Sequence, residues 1–247
     1  MLIYNSNSVN KPCVSLNNSP IQVVDSCKHL GVVIGKNAGK QNVDRIAHDM
    51  IRRTNLLMSN YGYCTWNVLS SLFKSFCCHF YGCPLWSLNS RTIDYIHVTW
   101  KKCCRKVLKL HPRTRSKYLH ILMSTPNLYT QLYVRFTKFY LSCLKSSNPI
   151  ITYVANLSKN NFTNVSFNIR SVLSFLYICN VNSNDLCLIE KLRKVCEDKF
   201  SSLDVEEVPI ALAIKELLEV RDNVFNFTPV FSSRDLNIFI YSLCVDT

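Results

Sequence analysis

Eight cations fall between positions 101 and 117: Lys101, Lys102, Arg105, Lys106, Lys109, Arg113, Arg115 and Lys117. A row of ammonium and guanidinium groups can bind oxyanions, and a chain of phosphates matches a row better than a single ion does. If Ile93 to Leu110 is one helix, then Ile93, Ile96, Trp100, Cys103/Cys104, Val107 and Leu110 form an apolar stripe at three-and-four spacing. Lys101, Arg105 and Lys109 then stand one turn apart, with Lys102 and Lys106 beside them. No Asp or Glu occurs from Tyr95 to Asn184. Aligned like charges repel one another, so such a ridge points to an anionic partner that supplies the missing charge.

Other residue sets could carry chemistry but have plainer readings. Gly35 to Gln41 follows a strand-like run and opens a helical one, as a phosphate loop would. Only three residues separate its glycines where that loop has four, and Gln41 replaces the magnesium-binding hydroxyl. We read it as a flexible turn. Cys77, Cys78, His79, Cys83, Cys103 and Cys104 could hold a metal, yet the chain lacks two C-x2-C pairs, and at helical spacing these cysteines extend an apolar face as buried thiols. No local signature selects a nucleophilic cysteine, and the six histidines are scattered. Trp66, Trp86 and Trp100, with Tyr129, Tyr133, Phe136, Phe139 and Tyr140, could stack on bases, but at helical spacing they read as core.

The elements that must position the cations follow from the composition. At 247 residues and 48% hydrophobic content the chain builds a real core. Residues 1–150 carry 20 Lys/Arg against 4 Asp/Glu, whereas 151–247 carry 9 against 12, so the net +13 belongs to the first part. Thirteen cysteines, two of the pairs adjacent, read as free thiols of a reducing compartment, cytoplasmic or nuclear. The N-terminus lacks a secretory apolar core and no window of eighteen apolar residues occurs, so neither export nor a membrane partner is expected.

The expected architecture is mainly α with a small N-terminal antiparallel β element. Residues 1–40 hold short strands, with a turn at Asn17 to Pro20 and a last strand from His29 to Ile34. These strands are too few to stand alone and must lean on a neighbour. Residues 41–145 form a helical array: Asn42 to Ser59, a helix from Thr65 to Gly82 with Val68 and Phe76 inward, the basic helix, a short helix over Ser116 to Met123, and one capped by Thr125-Pro126 that reaches Lys145. Residues 146–168 are Asn/Ser-rich and read as a linker. An acidic helical extension, 169–247, follows, with helices near 169–179, 185–200, 205–221 and 234–243.

The ordered segments Cys27 to Val32, Tyr81 to Trp86, Arg105 to Leu110 and Thr114 to Ser116 resemble the C-terminal half of a non-LTR (LINE-type) retrotransposon reverse transcriptase over roughly residues 1–145. The resemblance implies that Leu30 and Gly31 belong to a palm-edge strand, and that Tyr81, Gly82 and Trp86 end a thumb helix. It also implies that the basic helix faces an RNA or RNA/DNA template-primer, with the polymerase half as a further partner. In that family two magnesium ions sit on an Asp-Asp pair upstream of the Leu-Gly-Val segment. No Asp-Asp pair occurs here, so no catalytic residue, cofactor or metal is expected and the chain reads as a non-catalytic fragment. If six of the eight cations met phosphates, affinity would fall roughly a thousandfold between 50 and 200 mM salt. The alternatives are a stand-alone helical module that binds RNA or protein and has no polymerase ancestry, and a helical scaffold that binds no nucleic acid.

Overall fold

A computed structural model describes residues 2–3, 15–35, 38–160, 164–176, 185–201, 211–216 and 218–219. Among the described residues six short strands come first: β1 Leu2–Ile3, β2 Ser15–Leu16, β3 Ser19–Pro20, β4 Val23–Val24, β5 Ser26–His29 and β6 Val32–Gly35. β2 and β3 pair antiparallel around Asn17 and Asn18, both at positive φ as a two-residue hairpin turn requires. β1 lies parallel to β4, and β5 pairs antiparallel with β6. The strand expected over His29 to Ile34 is instead the second half of this last hairpin. Leu30 and Gly31, at φ 46° and 80°, make its turn, and Leu30 projects into solvent.

The hairpin leans on α1 (Ala38–Tyr61), as so small a sheet must. Val33 donates its N–H to Asn42 Oδ1 at 2.9 Å, and Asn42 Nδ2 donates to the Val33 carbonyl at 2.8 Å. The expected stripe of α1, Val43, Ile46, Met50, Thr54 and Leu57, is buried, with Ala47 beside it.

α2 (Trp66–Leu72) passes into a π-helical turn, Phe73–Cys77, that the spacing did not announce. One extra residue in a turn rotates all that follows, so Phe76 swings outward while Cys77 and Cys78 are buried. Val68, also expected inward, is exposed. The carbonyls opened by the wide turn are met by guanidinium groups: Arg53 donates to the Phe76 carbonyl at 3.0 Å and Arg135 to that of Cys78 at 3.2 Å. Lys74 reaches the Ser124 carbonyl at 3.0 Å.

Gly82, at φ 79°, begins a 3-10 turn, Cys83–Leu85, that leads to α3 (Arg91–Val107). A second 3-10 turn, Ser116–Tyr118, runs into α4 (Leu119–Leu122), and α5 spans Leu128–Leu144. The cap of α5 is Asn127, whose Oδ1 accepts from Tyr129 N, rather than Thr125.

The stretch 146–168, expected as a linker, is largely helical: α6 covers Pro149–Asn160 and α7 Asn164–Leu176. Asn148 accepts from Ile150 N and Pro149 opens the first turn, a start that the Asn/Ser content masks. α8 is Asp185–Ser201, and 211–216 is helical again. The expected helix at 234–243 lies outside the described residues, as does most of that at 205–221.

α1 packs mainly on α3, and α5 on α8 with α6 and α7 beside it. One hydrophobic cluster runs from Val43 to Leu218, so the expected boundary at residue 146 is crossed by shared core. A buried amide ties the two parts. Asn168 Oδ1 accepts from Leu88 N at 3.0 Å, and its Nδ2 donates to the Trp86 carbonyl at 2.8 Å. α6 turns Ile150, Tyr153, Val154 and Leu157 toward solvent, opposite its buried Ala155. No helix among the described residues is long and apolar enough to cross a membrane. The protein is mainly α with a small N-terminal β element.

Candidate nucleic-acid interface

The basic helix forms as its stripe requires. Ile93, Ile96, Trp100, Cys103, Cys104 and Val107 are buried, and Arg105 and Lys106 fall in the last turn, where the helix dipole favours positive charge. The helix stops three residues short of Leu110. Lys109 takes φ 55°, its N–H bonds to the Lys106 carbonyl at 3.1 Å, and Leu110 N–H bonds back to the Arg105 carbonyl at 2.8 Å. This is a Schellman closure with lysine where glycine is usual. Lys109 therefore leaves the helical row but stays exposed beside its end.

The eight cations divide by what the fold has them touch. Arg105 is structural: its Nε and Nη2 donate to the Thr114 carbonyl at 2.9 and 2.8 Å, and Nη2 also reaches Ser116 Oγ at 2.7 Å, which pins the turn after α3. Lys106 bridges to α1 through Asn55 Oδ1 at 2.7 Å. Arg115 and Lys117 are half-buried, with the Lys117 ammonium 5.5 Å from the Tyr118 ring centroid. Lys101, Lys102, Lys109 and Arg113 have no carboxylate partner among the described residues. Lys102, Lys109 and Arg113 are exposed, and Lys101 is half-buried, its ammonium pKa lowered by burial and then by neighbouring Arg105. The charge is thus gathered at the C-terminal end of α3 and in the turn beyond it.

Two contacts of Tyr129 border the row. Asp94 accepts a hydrogen bond from the Tyr129 hydroxyl, whose pKa is raised by burial and by that carboxylate. His97 packs edge-on against the Tyr129 ring at 4.6 Å, and its buried Nε2 has no hydrogen-bond partner among the described residues. Burial, with Lys101 adding to it and Asp94 opposing, lowers the His97 pKa to about 4, so the ring is neutral.

The residues singled out by family resemblance come together in part. Gly82 abuts Val32, which joins the Leu30-Gly31 hairpin to the Tyr81–Trp86 segment. Trp86 is buried, Tyr81 is exposed, and Leu30 and Gly31 form a turn rather than a strand. Trp66 and Trp100 are also core, as are Tyr133, Phe136 and Tyr140, while Phe139 is exposed. Cys77, Cys78, Cys83, Cys103 and Cys104 are buried thiols, each with its pKa raised by burial. Among the described residues no three His, Cys, Asp or Glu side chains are placed to hold a metal ion. Sequence reasoning missed Arg91 and Tyr95, which share the outward face of α3 with Lys102. Their 4- and 11-residue spacings were the available signal. No family model, curated protein or solved structure matches the chain.

Proposed function

We propose that the chain binds RNA or RNA/DNA irrespective of sequence, through phosphate contacts from the C-terminal end of α3 and the turn after it. The observation that carries this is the set Lys101, Lys102, Lys109 and Arg113: cations without a carboxylate partner among the described residues, inside ninety residues that contain no acid. Kinship with the thumb of a non-LTR reverse transcriptase is supported by the contact of Gly82 with Val32, since it brings together two motif segments that lie fifty positions apart. Polymerisation itself is assigned to no residue here, because the Asp-Asp pair that holds two metal ions in the resembled family does not occur in these 247 residues.

Four free cations in place of six weaken the expected salt dependence. Affinity for an RNA/DNA duplex should fall roughly a hundredfold between 50 and 200 mM salt. The triple variant Lys102→Glu/Lys109→Glu/Arg113→Glu should abolish binding without unfolding the chain. Arg105 is unsuitable for such a test, since its loss frees the Thr114 turn. A salt-independent affinity, or a triple variant that binds as well as the parent, rules the proposal out.

A further inference from the structure

Along the outward face of α3, Arg91, Tyr95, Val98 and Lys102 follow one another at i, i+4, i+7 and i+11, a straight line about 16 Å long parallel to the helix axis. Both ends are exposed cations. The middle is apolar and uncovered: Tyr95 is 43% and Val98 48% accessible. The Tyr95 carbonyl accepts from Thr99 Oγ1 at 3.0 Å, but the Tyr95 ring and hydroxyl make no hydrogen bond, ring contact or ion pair among the described residues. It therefore differs from Tyr129 and Tyr133, whose hydroxyls bond to Asp94 and Asn89.

From this row we infer that the preferred ligand is unpaired nucleic acid, with one base stacked on Tyr95 beside Val98 and flanking phosphates on Lys102 and Arg91. The inference rests on the nucleic-acid reading proposed above and narrows it. A duplex offers phosphates and sugars to a helix face and hides the flat faces of its bases, so a ring in the middle of the row would meet nothing that suits it. An unpaired strand exposes those base faces, and base–aromatic stacking tolerates any sequence. Asp94 lies at the edge of the row near Arg91, and its charge opposes a phosphate there. Lys102, with no acid within a turn of it, is therefore the stronger phosphate end.

The test compares a fluorescent single-stranded oligouridylate with a blunt RNA duplex of equal length, titrated with the full chain at one salt concentration. The parent should bind the single strand more tightly. Tyr95→Ala should weaken single-strand binding about tenfold, as loss of one stacked base does, and leave duplex binding within about twofold. Tyr95→Phe should behave as the parent, and Asp94→Asn should tighten both ligands. If the duplex binds as well as the single strand and Tyr95→Ala changes neither, the stacking inference is overturned while the ridge remains a phosphate site. If the parent binds neither ligand, both readings fall.

Discussion

A Cβ added to Gly82 would stand 3.1 Å from Cγ2 of Val32, on a backbone already at φ 79°. The contact presses the β5–β6 hairpin onto the segment that feeds α3, so two penalties meet in one methyl group. Gly82→Ala should cost about 1–3 kcal/mol from the left-handed backbone and the crowding together. Pairing it with Val32→Ala should relieve the crowding only, and urea unfolding of the single and double variants separates the two parts.

Asn168 supplies the only partners described for Leu88 N–H and a bond to the Trp86 carbonyl, from a side chain that is fully buried. Asn168→Ala should cost about 2–4 kcal/mol, since it strands a buried donor and a buried acceptor. Asn168→Asp keeps the acceptor and loses the donor, and should also destabilise. Thermal unfolding of both variants checks this, and an unchanged melting temperature would contradict the bridge.

Lys109 occupies the left-handed position that closes α3. Lys109→Gly should stabilise the fold by about 1 kcal/mol, the cost of holding a side chain in that conformation. The same variant should bind nucleic acid less well by the loss of one phosphate contact. Stability and affinity would then move in opposite directions, which a simple folding defect cannot produce.

These features mark where the sequence is readable and where it is not. The buried stripe of α3 follows from Ile93, Ile96, Trp100 and Val107, because burying an apolar helix face sets the spacing directly. The stop at Val107 does not, because lysine is a good helix former and nothing at position 109 announces a turn. The Leu30-Gly31 turn is masked for the same reason: leucine is an unexpected residue at φ 46°. For the cations, sequence shows charge and pitch but not which donors the fold consumes. Arg105 and Lys106 are spent on Thr114, Ser116 and Asn55, contacts between segments up to 51 residues apart.

His97 contributes to pH dependence with a definite sign. Its folded pKa of about 4 lies below the ordinary 6.5, so the fold favours the neutral ring. The stabilisation is complete above pH 6.5 and is lost as pH falls from there through 4. His97→Gln should flatten the stability curve over that interval, and an unaltered slope would show that another group controls it.

Thiol reactivity should sort by burial. Cys187 is exposed, whereas Cys77 and Cys83 are buried with pKa values pushed up to about 11, and burial also raises that of Cys104 well above the ordinary thiol value. At neutral pH a maleimide should label Cys187 well before those three. Mass spectrometry of the quenched, digested protein reads the order, and early labelling of Cys104 would mean that the core around α3 opens.

Asn42 gives the Val33 N–H and carbonyl what an adjoining strand would otherwise supply. On that side the hairpin has been sealed by its own helix. A visiting peptide could zip onto β6 only after α1 let go, so the fold guards against runaway strand addition at the cost of one buried amide. Asn42→Leu keeps the bulk and removes the seal, and its mark would be seeded fibre growth from a protein that is otherwise still helical.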